Sequence, residues 1–169
     1  MKAIVTREWG GPEVLKPEEV PEPKPGPGEV LIAMKAIGVN PYETYVRSGV
    51  YAHLPELPCI LGGDAAGEVA DLGGGVSEFA VGDRAYVSGT FGGRMTGCYA
   101  ERVTRPAAEV FRLPDGVSFE AGAAIGVPYA TAYWAMHQRG RASPGEWLFI
   151  HGASGAVVTA AIQLARAHG

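Results

Sequence analysis

Glu146-Trp147-Leu148-Phe149-Ile150-His151-Gly152-Ala153-Ser154-Gly155-Ala156-Val157-Val158 is the stretch on which the reading of this chain turns. Residues 147–150 form a short apolar run of strand type, and residues 159–167 (TAAIQLARA) are rich in helix formers. Val157, Ala161, Leu164 and His168 recur at helical spacing, and Ser154 is placed to cap the helix. The pattern predicts strand, tight glycine turn, helix. A helix that opens this way offers unpaired N–H groups and the positive end of its dipole to an anion, most often the pyrophosphate of a dinucleotide. Residues 153–158 align with G-x-G-x-x-G, keeping Gly155 in the middle, with Ala153 for the first glycine and Val158 for the last. Alone this is a weak match, and an ordinary strand-to-helix turn explains it about as well.

The charged residue that separates NAD from NADP is expected about 20 residues beyond such a loop, which falls past Gly169. The expectation is therefore a doubly wound sheet that has been started and not built. It would belong to a truncated form or fragment of a larger enzyme, or to a protein that completes itself in another way.

The rest of the composition sets limits. A chain of 169 residues that is 47% hydrophobic suits one full domain plus part of another. A net charge of −4 without a basic cluster argues against nucleic acid as a partner, because phosphate binding needs a localised positive footprint. Cys59 and Cys98 stand in separate segments with no C-x-x-C and no secretory leader before them, which fits a reduced cytoplasmic setting. Every apolar stretch is broken well short of the roughly 20 residues that cross a bilayer, so no membrane association is expected.

The 25 glycines and 13 prolines cluster between short β-like runs, the texture of a turn-rich β domain. Residues 2–5 (KAIV), 29–39 (EVLIAMKAIGV), 68–72 (EVADL), 84–87 (RAYV), 99–103 (YAERV) and 110–113 (VFRL) are strand candidates, the second of them expected to be buried on both faces and broken at Gly38. Glycine turns, among them Gly73-Gly74-Gly75, Gly82-Asp83 and Gly92-Gly93, separate them. The Pro21 to Gly28 segment (PEPKPGPG) reads as a rigid connector. Asn40-Pro41 is a helix start, with Asn as N-cap and Pro at the first helical position, and Ser48-Gly49 ends that helix. Ser118 caps a second helical region, expected as two pieces broken at Pro128, and the domain boundary falls near Ile125.

Several motifs taken together carry a family resemblance. They are Gly10-Gly11-Pro12-Glu13-Val14-Leu15, Gly38-Val39-Asn40-Pro41, Glu43-Thr44-Tyr45-Val46-Arg47-Ser48-Gly49 and Gly62-Gly63-Asp64-Ala65-Ala66-Gly67. Val81-Gly82-Asp83-Arg84-Ala85, the run from Ala123 to Tyr133 (AAIGVPYATAY) and His151-Gly152-Ala153-Ser154-Gly155 complete the set. In this order, over the whole chain, the sequence resembles the medium-chain dehydrogenase/reductase superfamily, in its zinc-free quinone oxidoreductase branch of zeta-crystallin type.

The resemblance implies an α+β chain: a GroES-like antiparallel β-barrel catalytic domain over residues 1–124, then linking helices and the first strand-turn-helix of an incomplete Rossmann domain over residues 125–169. It implies NADPH as cofactor and hydride transfer to a small-molecule quinone or activated enone without zinc. In the zinc enzymes of the superfamily a ligand cysteine stands where this chain has Asn40, and a G-H-E motif where it has Gly62-Gly63-Asp64. His53, His137, His151 and His168 show no ligand spacing, so no metal is expected.

By the same resemblance Asn40, Tyr45 and Tyr51 surround nicotinamide and acceptor, Thr131 meets the nicotinamide side, and Ser154, Gly155, Ala156 and Val157 bind the pyrophosphate. Asn40 serves equally as a helix cap, Tyr45 reads more as packing than as catalysis, and Asp64 reads as a tie for its turn. Val158 in place of the third glycine is expected to crowd the strand, at a cost of about 1–3 kcal/mol. A partial chain of this kind is expected to bind NADPH weakly or not at all and to be inactive alone. The alternative is a non-catalytic remnant acting as a folding or oligomerisation module, with a homo-oligomer forming through the exposed edge at residues 147–150.

Overall fold

The computed structural model describes residues 1–88 and 97–169. The Gly92-Gly93 turn expected from the sequence lies outside the described residues. Two antiparallel sheets make up the front of the chain. Strand β1 (Lys2–Thr6) pairs with β2 (Leu15–Glu19) on one side and β4 (Cys59–Ile60) on the other. The larger sheet runs in the order β7 (Arg102–Pro106), β3 (Glu29–Ile37), β5 (Asp64–Leu72), β6 (Arg84–Ser88) and β8 (Val110–Arg112).

Alternation along these strands builds the main core. Val30, Ile32, Ala65, Val69, Val87 and Val103 turn to one interior, closed by Cys98 and Phe79. Strand β3 is buried at Val30, Leu31 and Ile32, as a central strand should be, but its second half is partly exposed because its pairing with β7 stops at Ala33. The expected strand at 99–103 begins only at Arg102. Ala100 makes a single bridge to Ala3, and this joins the two sheets. The sequence reading did not include β2: its LKPEE sequence is polar, and Pro17 is tolerated there because β2 is an edge strand.

Helix α1 (Pro41–Arg47) begins at Asn40 and ends at Ser48, and Gly49 takes φ +78 beyond it. Ser118 accepts from Ala121 N at 3.1 Å and opens α2 (Phe119–Ala123). The break that follows is at Ala124–Ile125 and not at Pro128, which sits inside the first turn of α3 (Gly126–Tyr133). Proline there loses no helical hydrogen bond, since the first N–H groups of a helix have no partner within it. A π-helical turn, Trp134–Arg139, extends α3.

Residues 147–150 correct the sequence reading. They form no strand, and Trp147 is 99% and Phe149 86% exposed. An apolar run becomes a strand only when a neighbour takes its N–H and C=O groups, and among the described residues none stands beside this one. Helix α4 (Ala156–His168) does form, longer than expected, and packs on α3 through Ala132, Met136, Ala160 and Ala161. No strand forms at residues 147–150, so the helix–strand contact that Val158 was expected to crowd is not made. A cavity of about 290 Å³ lies between Leu148 and Ile150 on one side and Val157, Val158 and Ala161 on the other. Among the described residues no helix is long and apolar enough to cross a membrane.

Candidate active site

The site grows from the end of β3. Gly38 lies so close to its neighbours that a Cβ there would stand 2.3 Å from the carbonyl oxygen of Ala123 and 3.0 Å from Asp64 Cβ. Its N–H donates to the Asp64 carbonyl at 2.9 Å. Two residues on, Asn40 adopts an extended conformation at the N-cap of α1 and is 7% exposed. Asn40 Nδ2 donates to Asp64 Oδ2 at 3.0 Å, and the backbone N–H of Val127, in the first turn of α3, donates to the same oxygen at 2.9 Å. Asp64 is 1% exposed. One buried carboxylate thus ties α1 to α3, a wider role than the local turn tie expected of it.

Glu43, 4% exposed, is the second buried carboxylate and one that the sequence reading assigned no role. Its Oε2 accepts from Asn40 N at 2.8 Å and from the Tyr99 hydroxyl at 2.5 Å, and its Oε1 accepts from Gly63 N at 2.8 Å. Burying a carboxylate is costly unless donors surround it, and here three converge. The signal was in the sequence: Asn40-Pro41-Tyr42-Glu43 has the spacing of a capping box, in which the acid returns to the N-cap N–H.

Two phenols share this environment. Burial first, and the Glu43 carboxylate after it, hold the Tyr99 hydroxyl far above the usual phenol range. Tyr42 is raised in the same way, by burial and then by Glu43 and Asp64. Burial disfavours the phenolate of each, and the neighbouring carboxylates add to that effect.

The other predicted site residues fall as follows. Tyr45 is 55% exposed and so does not pack in the core as the sequence reading favoured. Tyr51 lies half-buried in the loop after α1, its ring 5.6 Å from that of Tyr42. Thr131 lies on α3 one turn beyond Val127 and lines a cleft of about 650 Å³ with Tyr86, Ser88, Tyr129 and Trp134. Leu164 of α4 closes that cleft, and Tyr129 Oη donates to Gln163 of the same helix.

Ser154, Gly155, Ala156 and Val157 are all exposed at the opening of α4. The N-cap is Gly155 and not Ser154: it has the extended geometry of a cap, and no side chain caps the first N–H groups. Those groups face an open approach, so the residues present fit the phosphate portion of a dinucleotide. Among the described residues, the sheet that would flank this turn is not formed. No group of three or more His, Cys, Asp or Glu among the described residues forms a metal-ligand set.

The model of the family described as Alcohol dehydrogenase GroES-like domain matches residues 26–115. The chain belongs to that family. Relatives similar over the full chain include quinone oxidoreductases of the medium-chain dehydrogenase/reductase superfamily, and synaptic vesicle membrane protein VAT-1 homologs match over 98% of it. The Quinone oxidoreductase of Rattus norvegicus is 46% identical over 170 residues, covering 100% of this chain and 50% of the relative. The solved quinone oxidoreductase of Pseudomonas syringae pv. Tomato DC3000 superposes with a TM-score of 0.88 at 39% identity, over 99% of this chain and 50% of that one. The Escherichia coli quinone oxidoreductase, solved in complex with NADPH, gives a TM-score of 0.88 at 34% identity, over 100% of this chain and 50% of that one. The GroES-like chain described here therefore spans about half the length of the quinone oxidoreductases it matches.

Proposed function

We propose that this chain carries the substrate-side half of an NADPH-dependent, zinc-independent quinone oxidoreductase. Residues 1–124 are its catalytic domain, and residues 125–169 open its cofactor domain. The observation that carries this reading is the shared Asp64 oxygen. It holds Asn40, assigned here to the acceptor side, and Val127, one turn from Thr131 and assigned to the cofactor side, on a single atom, which supports this reading. NADPH, when bound, supplies a hydride from its nicotinamide to an acceptor that is already electrophilic.

The residues of the chain then hold the two partners in register and exclude water. Asn40, Tyr45 and Tyr51 flank the acceptor, and the exposed side chains of Val39, Val50 and Leu54 around α1 suit a flat apolar ring. Thr131 offers its hydroxyl to the nicotinamide side. The backbone of Ser154 to Val157 takes the pyrophosphate at the opening of α4. Asn40 offers no thiolate, and His53, His137, His151 and His168 show no ligand spacing, which supports a site without zinc. The proton that completes reduction is assigned to solvent, and Tyr42 and Tyr99, both raised above the usual phenol range, are poor donors for it.

The test is an amide NMR titration of the chain with NADPH and, separately, with 1,4-naphthoquinone. It reads weak binding and needs no turnover, which is not expected from this chain alone. Shifts should centre on Asn40, Tyr51 and Thr131 for both probes, with residues 154–157 joining for NADPH. Shifts scattered elsewhere with either probe, or none with naphthoquinone, overturn the proposal. Micromolar NADPH affinity with quinone turnover would overturn the expectation that the half-site is inactive alone.

A second reading, association with another copy of this chain, is favoured by the exposure of Trp147 and Phe149. Contact there would be made by side chains, because residues 147–150 present no strand edge. Light scattering after size exclusion should show a dimer or larger assembly, and a monomer at high concentration removes this reading.

A further inference from the structure

Resting on the reading of Asn40 as an acceptor-side residue, we propose that Glu43 and Tyr99 are positioning residues for it. Asn40 is held from two directions. Asp64 holds its side chain, and Glu43 holds its main-chain N–H. Glu43 is in turn fixed at both oxygens, through Gly63 N on one and the Tyr99 hydroxyl on the other.

Tyr99 reaches this place from a segment 56 residues further along the chain, and little space is left for it to move. Its ring lies against Gly62, where a Cβ would come within 2.4 Å of it, and the φ of +96 at Gly62 is itself a glycine conformation. Its main-chain N–H donates to the Leu61 carbonyl at 2.8 Å. The phenol is thus clamped at ring, backbone and hydroxyl, and its one polar contact to α1 ends on the carboxylate that sets Asn40. A side chain fixed at its donor atom and at its own backbone has one orientation to present to an acceptor, which is what a preorganised site needs.

The deciding variants are Tyr99→Phe, which keeps the ring against Gly62 and deletes the donor, and Glu43→Gln, which keeps the volume and deletes the charge. The readout is hydrogen exchange of the Asn40 side-chain amide, assigned as the signal pair lost in Asn40→Ala, together with its shift on adding 1,4-naphthoquinone. Both variants should speed that exchange by at least about tenfold, the worth of one hydrogen bond to a charged group. Naphthoquinone affinity should weaken with it, while ladder amides at Val30 and Val69 keep their wild-type protection.

Unchanged Asn40 exchange in both variants overturns the proposal. So does a rise shared with the ladder amides, which would mark a merely structural role. If exchange rises locally while naphthoquinone leaves Asn40 unperturbed even in the wild-type chain, the positioning of Asn40 stands and the functional reading of the site falls.

Discussion

Asn40 and Asp64, 24 residues apart in sequence, meet through a buried hydrogen bond of 3.0 Å from Nδ2 to Oδ2. Because the Asp64 oxygen also takes the Val127 N–H, Asp64→Ala leaves one buried and one part-buried donor without their acceptor. The expected loss is about 2–4 kcal/mol of unfolding free energy, measured by urea denaturation. A loss near zero would mean that water replaces the carboxylate, and that α1 and α3 are not tied through it.

Gly38→Ala places a methyl against the Ala123 carbonyl and Asp64 Cβ, which are backbone and anchored side chain with little freedom to yield. It should cost about 1–3 kcal/mol, as overpacking does. Gly74→Ala is the control, since nothing lies within 4 Å of a Cβ there and Gly74 has no left-handed φ. Thermal melts of the two variants should separate clearly, and equal midpoints would contradict the close approach of β3 to α2.

Burial pushes the Cys98 thiol up to about 11, against the opposing influence of Arg105, whose Nη2 donates to Sγ at 3.4 Å. The folded chain holds that proton where the unfolded thiol, with its ordinary value near 9, gives it up. The stabilising contribution is complete below about pH 9 and is lost as pH rises through about 11. Stability measured across this range should fall, and Cys98→Ala should flatten the slope. At pH 8 a thiol reagent should label Cys59, which is partly exposed, and spare Cys98 until the chain unfolds.

The three tryptophans should separate by solvent access. Trp147 is almost fully exposed, whereas Trp134 lies under the Arg139 guanidinium and Trp9 is half-buried. Acrylamide quenching should drop most in Trp147→Phe. A greater drop in Trp9→Phe would show that residues 147–150 are covered in solution.

Local rules read well wherever the chain makes its own partners. The Asn40-Pro41 helix start, the Ser118 cap and the runs 2–5 and 84–87 follow from caps and alternation that need only neighbouring residues or the adjacent strand. The run at 147–150 failed because a strand is a property of a pair, and apolarity alone does not supply the second member. Ser154 failed as a cap because the helix starts one residue later, at a glycine. Glu43 was overlooked for a different reason. On a short helix an acid is ordinarily a solvated surface charge, and only contact with Tyr99, far along the chain, shows it as the centre of a buried cluster. Asn40 was legible as a helix cap from local geometry, whereas its place beside the acceptor rests on resemblance and is a proposal.

The arrangement around α1 has a use in the laboratory. Asn40 is anchored from beneath by Asp64 and Glu43, while Val39, Tyr45, Val50 and Leu54 point outward with their side chains largely uncommitted. Under the function proposed above, a library randomised at those four outer positions tests new acceptor shapes without loosening the foundation. Position 62, pressed by the Tyr99 ring and held at a left-handed φ, should return glycine if it is randomised as well.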